Sequence, residues 1–340
     1  MISTADITIV FQGNVTPFTS SNGDSFLNFA NVTRATLPNA SIILSTWEGV
    51  EVPHNAPVDK IIRSKDPGSL PGVKFDDKPS NLNRQLVSTL AGLEQVKTRY
   101  AIKLRTDCSL EHAGFLEQYD TFRKIDPHGE DRIATSAFFT LDPTIFEHMP
   151  FHVSDWFHFS TTEQLLKYWS APLMTKDDAS HYERHKFAKH SSYLDRKFRS
   201  RLAVEQYLGV TFAKKMGYSV PQFHNDTPQH ILAAHEDFIT RHLLILDPWQ
   251  AGLCFPKYFW AYKSNMQWMN CIMFLDWYRM YVDKFNPTTI DKGLYEAAMK
   301  RVRQKARVRA GAKLIDPFGK LWYSHKFDAV AGRALRWMMN

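Results

Sequence analysis

The chain has 340 residues, 44% hydrophobic and 23% charged, with 24 Phe, 13 Tyr and 9 Trp. That is enough to bury the core of one large or two modest domains, and it excludes a disordered chain. The formal charge of +7 points to an anionic partner (nucleic acid, an anionic membrane surface or a phosphorylated substrate), and no apolar run approaches the roughly 18 residues of a transmembrane helix.

The first hundred residues alternate strand and helix signals. "ITIVFQG" (residues 7–13) is a short apolar run closed by glycine. "SFLNFANVTRATLP" follows Asp24, an N-cap residue type, and stops at Pro38; Phe26, Phe29, Ala30 and Thr33 share a helical face. "SIILSTW" and "DKIIRS" read as the second and third strands, the latter closed by the turn "KDPG". In "NLNRQLVSTLAGLEQV", Leu82, Leu86, Leu90, Leu93 and Val96 recur at helical spacing, and "YAIKLRTD" is the fourth strand. Strands alternating with helices predict an α/β fold with a mostly parallel sheet. Ligands of such sheets bind at the carboxyl ends of the strands, which places Gln12, Gly13, Trp47, Glu48, Asp66 and Asp107 along one rim.

"DRIATSAFFTLDP" (131–143) predicts a fifth strand, and "FHVSDWFHFSTTEQLLKYW" turns into a helix capped by Thr161 or Thr162. Residues 171–200 are charged, His-rich and irregular. "SRLAVEQYLGVTFAKKMG" reads as a helix with a glycine stop, and "HLLIL" as a strand. An aromatic helical stretch then spans 265–285, followed by "KRVRQKARVRAGAK" (300–313) with seven cations and no acids. The bland reading of that run is a solvated helix face; the sharper one is a surface for anionic lipid head groups or a polyanionic acceptor. No internal repeat or low-complexity linker is visible.

Three widely spaced cysteines (Cys108, Cys254, Cys271) predict neither a disulfide framework nor a zinc site. The N-terminus lacks the charge and apolar pattern of a signal peptide. A reducing, cytoplasmic setting is expected, and the sequons at Asn14, Asn31, Asn39 and Asn225 then read as chance matches. The glycine-rich phosphate loops of classical dinucleotide folds and P-loop enzymes are absent. "HYERH" (181–185) spaces two histidines four apart, but Glu183 falls off that face, so a polar helix is preferred to a metal site. "HED" (235–237) reads as a cap before a metal cluster.

The stretch "RYAIKLRTDCSL" (99–110) carries more chemistry. Lys103, Arg105 and Asp107 alternate along one side of a buried strand, and Arg84 opens the preceding helix. Cations beside a helix start suit a diphosphate. Asp107 either caps the next helix, in "SLEHAGFLEQY", or holds Mg²⁺ or Mn²⁺ against phosphate oxygens.

The order of strand, N-x-N-R-Q helix and strand ending in an acid resembles the nucleotide half of GT-A-type glycosyltransferases. "ITIVFQG", "LSTWEG", "SKDPG", "NLNRQLVSTLAGL" and "YAIKLRTD" together resemble the WavE family of lipopolysaccharide-synthesis proteins, over roughly residues 5 to 260 and including "SDWFHFS" and "EQYLG". The resemblance implies a GT-A-like domain over 1–260, with a nucleotide-binding half to about 110 and an acceptor half after it; residues 261–340 are a helical, basic extension. It implies a transferase that moves a sugar from a nucleotide-sugar to a lipid-linked or lipid A–core glycan, touching the inner face of the membrane. Asp107 is the implied metal ligand, although Arg105 stands where the wider fold has the first acid of D-x-D. Gln12, Gly13, Asp66, Asn83, Arg84, Lys103 and Arg105 are the expected nucleotide contacts; Arg34, at a helix end, equally suits the helix dipole. Asp155 and Trp156 are expected at the acceptor, with Glu205 as general base and Asp155 as its competitor. No nucleic-acid partner is expected on this reading. The alternatives are a non-catalytic binder of anionic glycan or nucleic acid, and a hydrolase of sugar nucleotides that uses water as acceptor.

Overall fold

The computed structural model describes residues 2–15, 25–76, 78–123 and 131–315. In chain order its strands are β1 (Ile7–Gln12), β2 (Ser41–Trp47), β3 (Lys60–Ser64), β4 (Tyr100–Arg105), β5 (Ser109–Leu110), β6 (Ile133–Ser136), β7 (Phe157–Thr161), β8 (Leu243–Leu246) and β9 (Leu253–Cys254). The helices are α1 (Phe26–Thr36), α2 (Leu82–Leu93), α3 (Gly114–Phe122), α4 (Thr162–Trp169), α5 (Lys176–Ala179), α6 (Val204–Lys215), α7 (Gln229–His242), α8 (Pro248–Ala251), α9 (Phe259–Tyr262), α10 (Asn265–Asn270), α11 (Phe274–Phe285) and α12 (Lys292–Ile315).

Seven strands form the central sheet, in the order β3-β2-β1-β4-β7-β6-β8, and β5 pairs with β9 in a separate ribbon. The pairs β3–β2, β2–β1, β1–β4 and β6–β8 are parallel. Every residue of β1 is buried, as expected of an inner parallel strand covered on both faces. Edge strand β3 is half-exposed throughout. The chain is therefore a mixed α/β protein with a mostly parallel sheet between helices.

One strand of the central sheet escapes the sequence pattern. Residues 157–161 lead, in the sequence, into a helix; the structure makes them β7, which runs antiparallel between β4 and β6. Its first four residues are all buried, so no in–out alternation marks it. Thr161 does cap α4, its side chain accepting from the Gln164 amide. Ser25 caps α1 by accepting from the Asn28 amide; Asp24 lies outside the described residues. Asp107 caps nothing: the segment after it is β5, and α3 begins only at Gly114. The aromatic stretch is two helices, α10 and α11, separated at 271–273.

Two close approaches fix the layers that carry the rim. A Cβ on Gly92 would come within 2.4 Å of Val10 Cγ1, so α2 lies directly on β1. A Cβ on Gly209 would meet the Phe151 carbonyl at 2.0 Å, which seats α6 against the segment before β7.

The basic run is not a uniformly solvated face. Arg301 and Lys305 point inward from α12 and are buried. Arg301 donates to Asp276 at 2.8 Å, and Lys305 pairs with Asp276 and Asp142, both at 2.9 Å. Val308 and Ala312 pack with Ile145, Phe146 and Met269. Lys300, Arg303, Arg307, Arg309 and Lys313 are the exposed remainder. Among the described residues no helix is long and apolar enough to cross a membrane.

Candidate active site

The rim begins where β1 and β4 end side by side, with Gln12 opposite Arg105. Gly13 adopts φ +134°, and a Cβ there would lie 2.7 Å from Thr106 Oγ1. That hydroxyl donates to the Asn14 carbonyl at 2.8 Å, and the Thr106 amide donates to Gln12 O at 3.1 Å. Glycine is thus required for the two strand ends to interlock. Over these ends, and over the N-termini of α2 and α6, lies a cavity of about 910 Å³. Gln12, Asp66, Arg105 and Asp107 line it from the strand ends and Arg84 and Gln85 from α2; Lys74, His152, Phe198, Glu205 and Trp260 line it from other segments.

Arg105 organises the floor. Its Nε and Nη2 donate to the two oxygens of Asp107 at 2.9 and 3.0 Å, and Nη1 reaches Asp155 Oδ2 at 3.4 Å. This fork geometry suits arginine and not lysine. Burial opposes ionisation of Asp107, but the guanidinium outweighs it and holds the carboxyl below its ordinary pKa. Asp155 is more deeply buried. Lys103 and Arg105 overcome that burial and keep it ionised, and Gln85 donates to its Oδ2.

Three expected contacts do not reach the cavity. Lys103 is fully buried; its ammonium donates to the Asp155 backbone carbonyl and lies 4.7 Å from the Trp169 ring centroid. It braces Asp155 from beneath, and burial pushes its pKa down to about 8. Asn83 spends its amide on Met174, donating to the carbonyl at 3.0 Å and accepting from the amide at 2.8 Å. Trp156 is 3% exposed, its ring packed by Phe255 and Tyr258 at 4.6 and 5.0 Å, so no face is open to a sugar. Arg34 is also spent: it donates to the Ala40 and Pro57 carbonyls and to Asp59, pinning the end of α1 to the β2–β3 connection. At the outer rim, Arg84 forks onto Asp66 at 2.7 and 2.8 Å, and Gln12 donates to Ser88 Oγ at 3.0 Å.

Glu205 sits in the first turn of α6 with its side chain 28% exposed. Its Oε2 lies 3.5 Å from His152 Nε2. Burial pushes the His152 pKa down to about 4, so the ring is neutral at pH 7. The His152 Nδ1 lies 2.8 Å from the Phe139 carbonyl. A carbonyl accepts only, so the proton belongs on Nδ1, and Nε2 turns a lone pair toward Glu205. A lone pair facing a carboxylate favours the protonated acid. Burial and the nearby Asp155 charge act in the same direction and push Glu205 up to about 7.

The histidine motifs form no further site. His181 and His185 stack at 4.2 Å beside a single 3₁₀ turn, and His235 accepts from the Phe151 amide. Asp237 holds Lys284 and Arg241, and Glu236 holds Arg279. Among the described residues no group of three or more His, Cys, Asp and Glu side chains is placed to hold a metal ion. Asp107 nevertheless fits a divalent ion of the kind completed by substrate oxygens. Its side chain is 22% exposed, it lines the cavity, and its Oδ2 accepts one bond, from Arg105, where a carboxylate oxygen has room for two. Among the described residues, five carboxyl groups line the cavity (Asp66, Asp107, Glu147, Asp155, Glu205) against three cations (Lys74, Arg84, Arg105). A diphosphate entering such a lining needs additional positive charge.

The pattern missed several residues of this site. Gln85 stands in the quoted "NLNRQ", and Thr106 in "RTD", so position alone pointed at them. His152, Lys74, Phe198 and Trp260 come from loops and short turns whose meeting depends on tertiary packing.

No curated protein matches the chain. Among solved structures, a cytidylyltransferase from Leptospira borgpetersenii serovar Hardjo-bovis (strain JB197) is similar, with 15% identity over 53% of this chain and 69% of that one. Its TM-score of 0.29 is too low to bear on fold or function. Residues 7–307 match the family described as WavE lipopolysaccharide synthesis. The match takes in the Arg105–Asp107 floor, Asp155 and Glu205 alike, and the chain belongs to the WavE lipopolysaccharide synthesis family.

Proposed function

We propose that this protein is a glycosyltransferase of GT-A type that moves a sugar from a nucleotide-sugar donor to a hydroxyl of a lipopolysaccharide-type glycan. The observation that carries the reading is the opposition of two differently tuned groups across one cavity. The Arg105–Asp107–Asp155 floor keeps fixed charge at the strand ends, while Glu205 is held near neutrality on the other side.

The donor diphosphate lies at the N-terminus of α2, where the helix dipole favours anions, with Arg84 and Arg105 beside it. Asp107 is the residue that would hold Mg²⁺ or Mn²⁺; the ion would supply positive charge against the departing diphosphate. Glu205 accepts the proton of the acceptor hydroxyl as its oxygen bonds the anomeric carbon. The donor C1–O bond breaks with its electron pair going to the diphosphate, where Arg105 offsets the new charge. Asp155 holds Arg105 and raises Glu205, so it serves as a positioning residue for both halves.

The test is a screen of nucleotide-sugars for release of nucleoside diphosphate in the presence of deacylated lipopolysaccharide cores. The expected result is release from one donor class, lowered about 10²- to 10⁴-fold in Glu205→Gln. Equal release by wild type and variant would remove Glu205 from the chemistry.

A further inference from the structure

The segment from α8 to α10 differs from the rest of the described surface. It exposes Trp249 (45%), Phe259 (46%) and Trp260 (52%), three of the seven exposed large apolar side chains among the described residues. Between Pro248 and Leu275 the sequence has no acid, and its cations Lys257 and Lys263 are both exposed. Tyr258 and Tyr262 lie half-buried among them. Internal packing accounts for only part of this pattern. Trp249 stacks on Trp268 at 5.4 Å, but Phe259 projects beyond its edge contact with Tyr262, and Trp260 beyond its edges on Phe139 and Tyr258. Trp260 and Gln267 also line the cavity, so the exposed ridge forms part of its mouth. The charge of Lys257 reaches Asp107 on the floor.

We propose that this aromatic, basic ridge seats the protein on an anionic lipid bilayer, with Phe259 and Trp260 entering the head-group region and Lys257 and Lys263 meeting the lipid phosphates. Tryptophan and tyrosine favour that depth because one part of each ring system is apolar and the other is wet, and lysine adds attraction to anionic lipid. A bilayer is preferred to a soluble protein partner because the ridge pairs apolar projections with two exposed lysines and lies at the mouth of a cavity. Seated this way, the mouth opens toward the membrane plane, where the sugar of a lipid-linked acceptor stands. The second part rests on the glycosyltransferase reading; the membrane contact itself does not.

The test is co-sedimentation with vesicles of phosphatidylcholine, with and without phosphatidylglycerol. It uses the full chain, Phe259→Ser with Trp260→Ser, Lys257→Glu with Lys263→Glu, and Arg303→Ser with Arg307→Ser and Arg309→Ser on α12. Wild type is expected to partition onto the anionic vesicles. Either ridge variant should lower that partitioning about tenfold or more, and the α12 variant should change it less. Both lysines are exposed, and the lysine pair keeps the test valid if the aromatic pair disturbs folding. Absence of wild-type binding, or binding lost only in the α12 variant, would overturn the proposal. Nucleotide binding measured on Phe259→Ser alone and on Lys263→Glu alone, neither of which lines the cavity, separates the two readings: a variant that leaves the membrane but still binds nucleotide keeps the transferase site intact.

Discussion

Glu205 and Asp155 are two carboxyl groups in one cavity with opposite electrostatic settings. Asp155 receives Arg105, Gln85 and the Lys103 charge and stays ionised; Glu205 faces a neutral imidazole lone pair and the Asp155 charge. A base must be deprotonated to work, so kcat is expected to rise with pH up to about 7 and to level off above it. Asp155→Asn removes the like charge and should move that limb to lower pH; a limb that stays in place would show that burial alone sets Glu205. Stability has the opposite slope. A carboxyl raised in the fold binds a proton that the unfolded chain has already released, so stability falls as pH rises from about 4.5 to about 7. Glu205→Gln should flatten that fall in a melting series across this range. The sequence placed Glu205 on a helix and Asp107 at a strand end. It could not show that Lys103 turns beneath Asp155 or that the Trp156 ring is enclosed, because the first depends on how the chain brings Asp155 and Trp169 to the strand and the second on Phe255 and Tyr258, from a segment far along the sequence.

At the scale of elements, the strands and helices of the first hundred residues were legible because their apolar runs and helical repeats are undisturbed. β7 was not, since a strand buried on both faces has no alternation to read. The seat of α2 on β1 gives a direct check. Gly92→Ala drives a methyl into Val10 and is expected to cost about 1–3 kcal/mol in denaturant melts. The docking of α12 gives another. Asp276, Arg301, Lys305 and Asp142 form a nearly dry ionic cluster, and Asp276→Ala leaves two buried cations short of a partner. That substitution is expected to cost about 3–5 kcal/mol and to expose α12 to proteolysis, whereas Arg303→Ala, on the solvent side, should change stability by less than about 0.5 kcal/mol. Burial opposes ionisation in Asp142 and Asp276, but Lys305 and Arg301 hold both below their ordinary pKa. Their contribution is therefore complete above about pH 4 and is lost as the pH falls further. Acid hydrogen exchange should find α12 opening before β1 and β4.

For the molecule as a whole, the rim of strand ends that the sequence implied is where the cavity lies. Gln12, Gly13, Asp66, Arg84, Arg105, Asp107, Asp155 and Glu205 all line it. What the sequence could not supply is the opposite wall, contributed by segments that reach the rim only through α6 and the turns around Trp260. Among the described residues the lining has more carboxyl groups than cations, so a diphosphate placed there would call for added positive charge. On the transferase reading proposed above, a nucleotide binds at the strand ends with a divalent ion at Asp107. The most direct test is a thermal-shift series of UDP, GDP, CDP, ADP and CMP, each with and without Mn²⁺, on wild type and on Asp107→Ala. A ligand at about 100 times its Kd stabilises a fold by about 2.7 kcal/mol. One nucleotide should raise the wild-type Tm in the presence of Mn²⁺ and leave Asp107→Ala unmoved. A folded wild type that no nucleotide shifts, or a shift identical in the variant, would contradict the account.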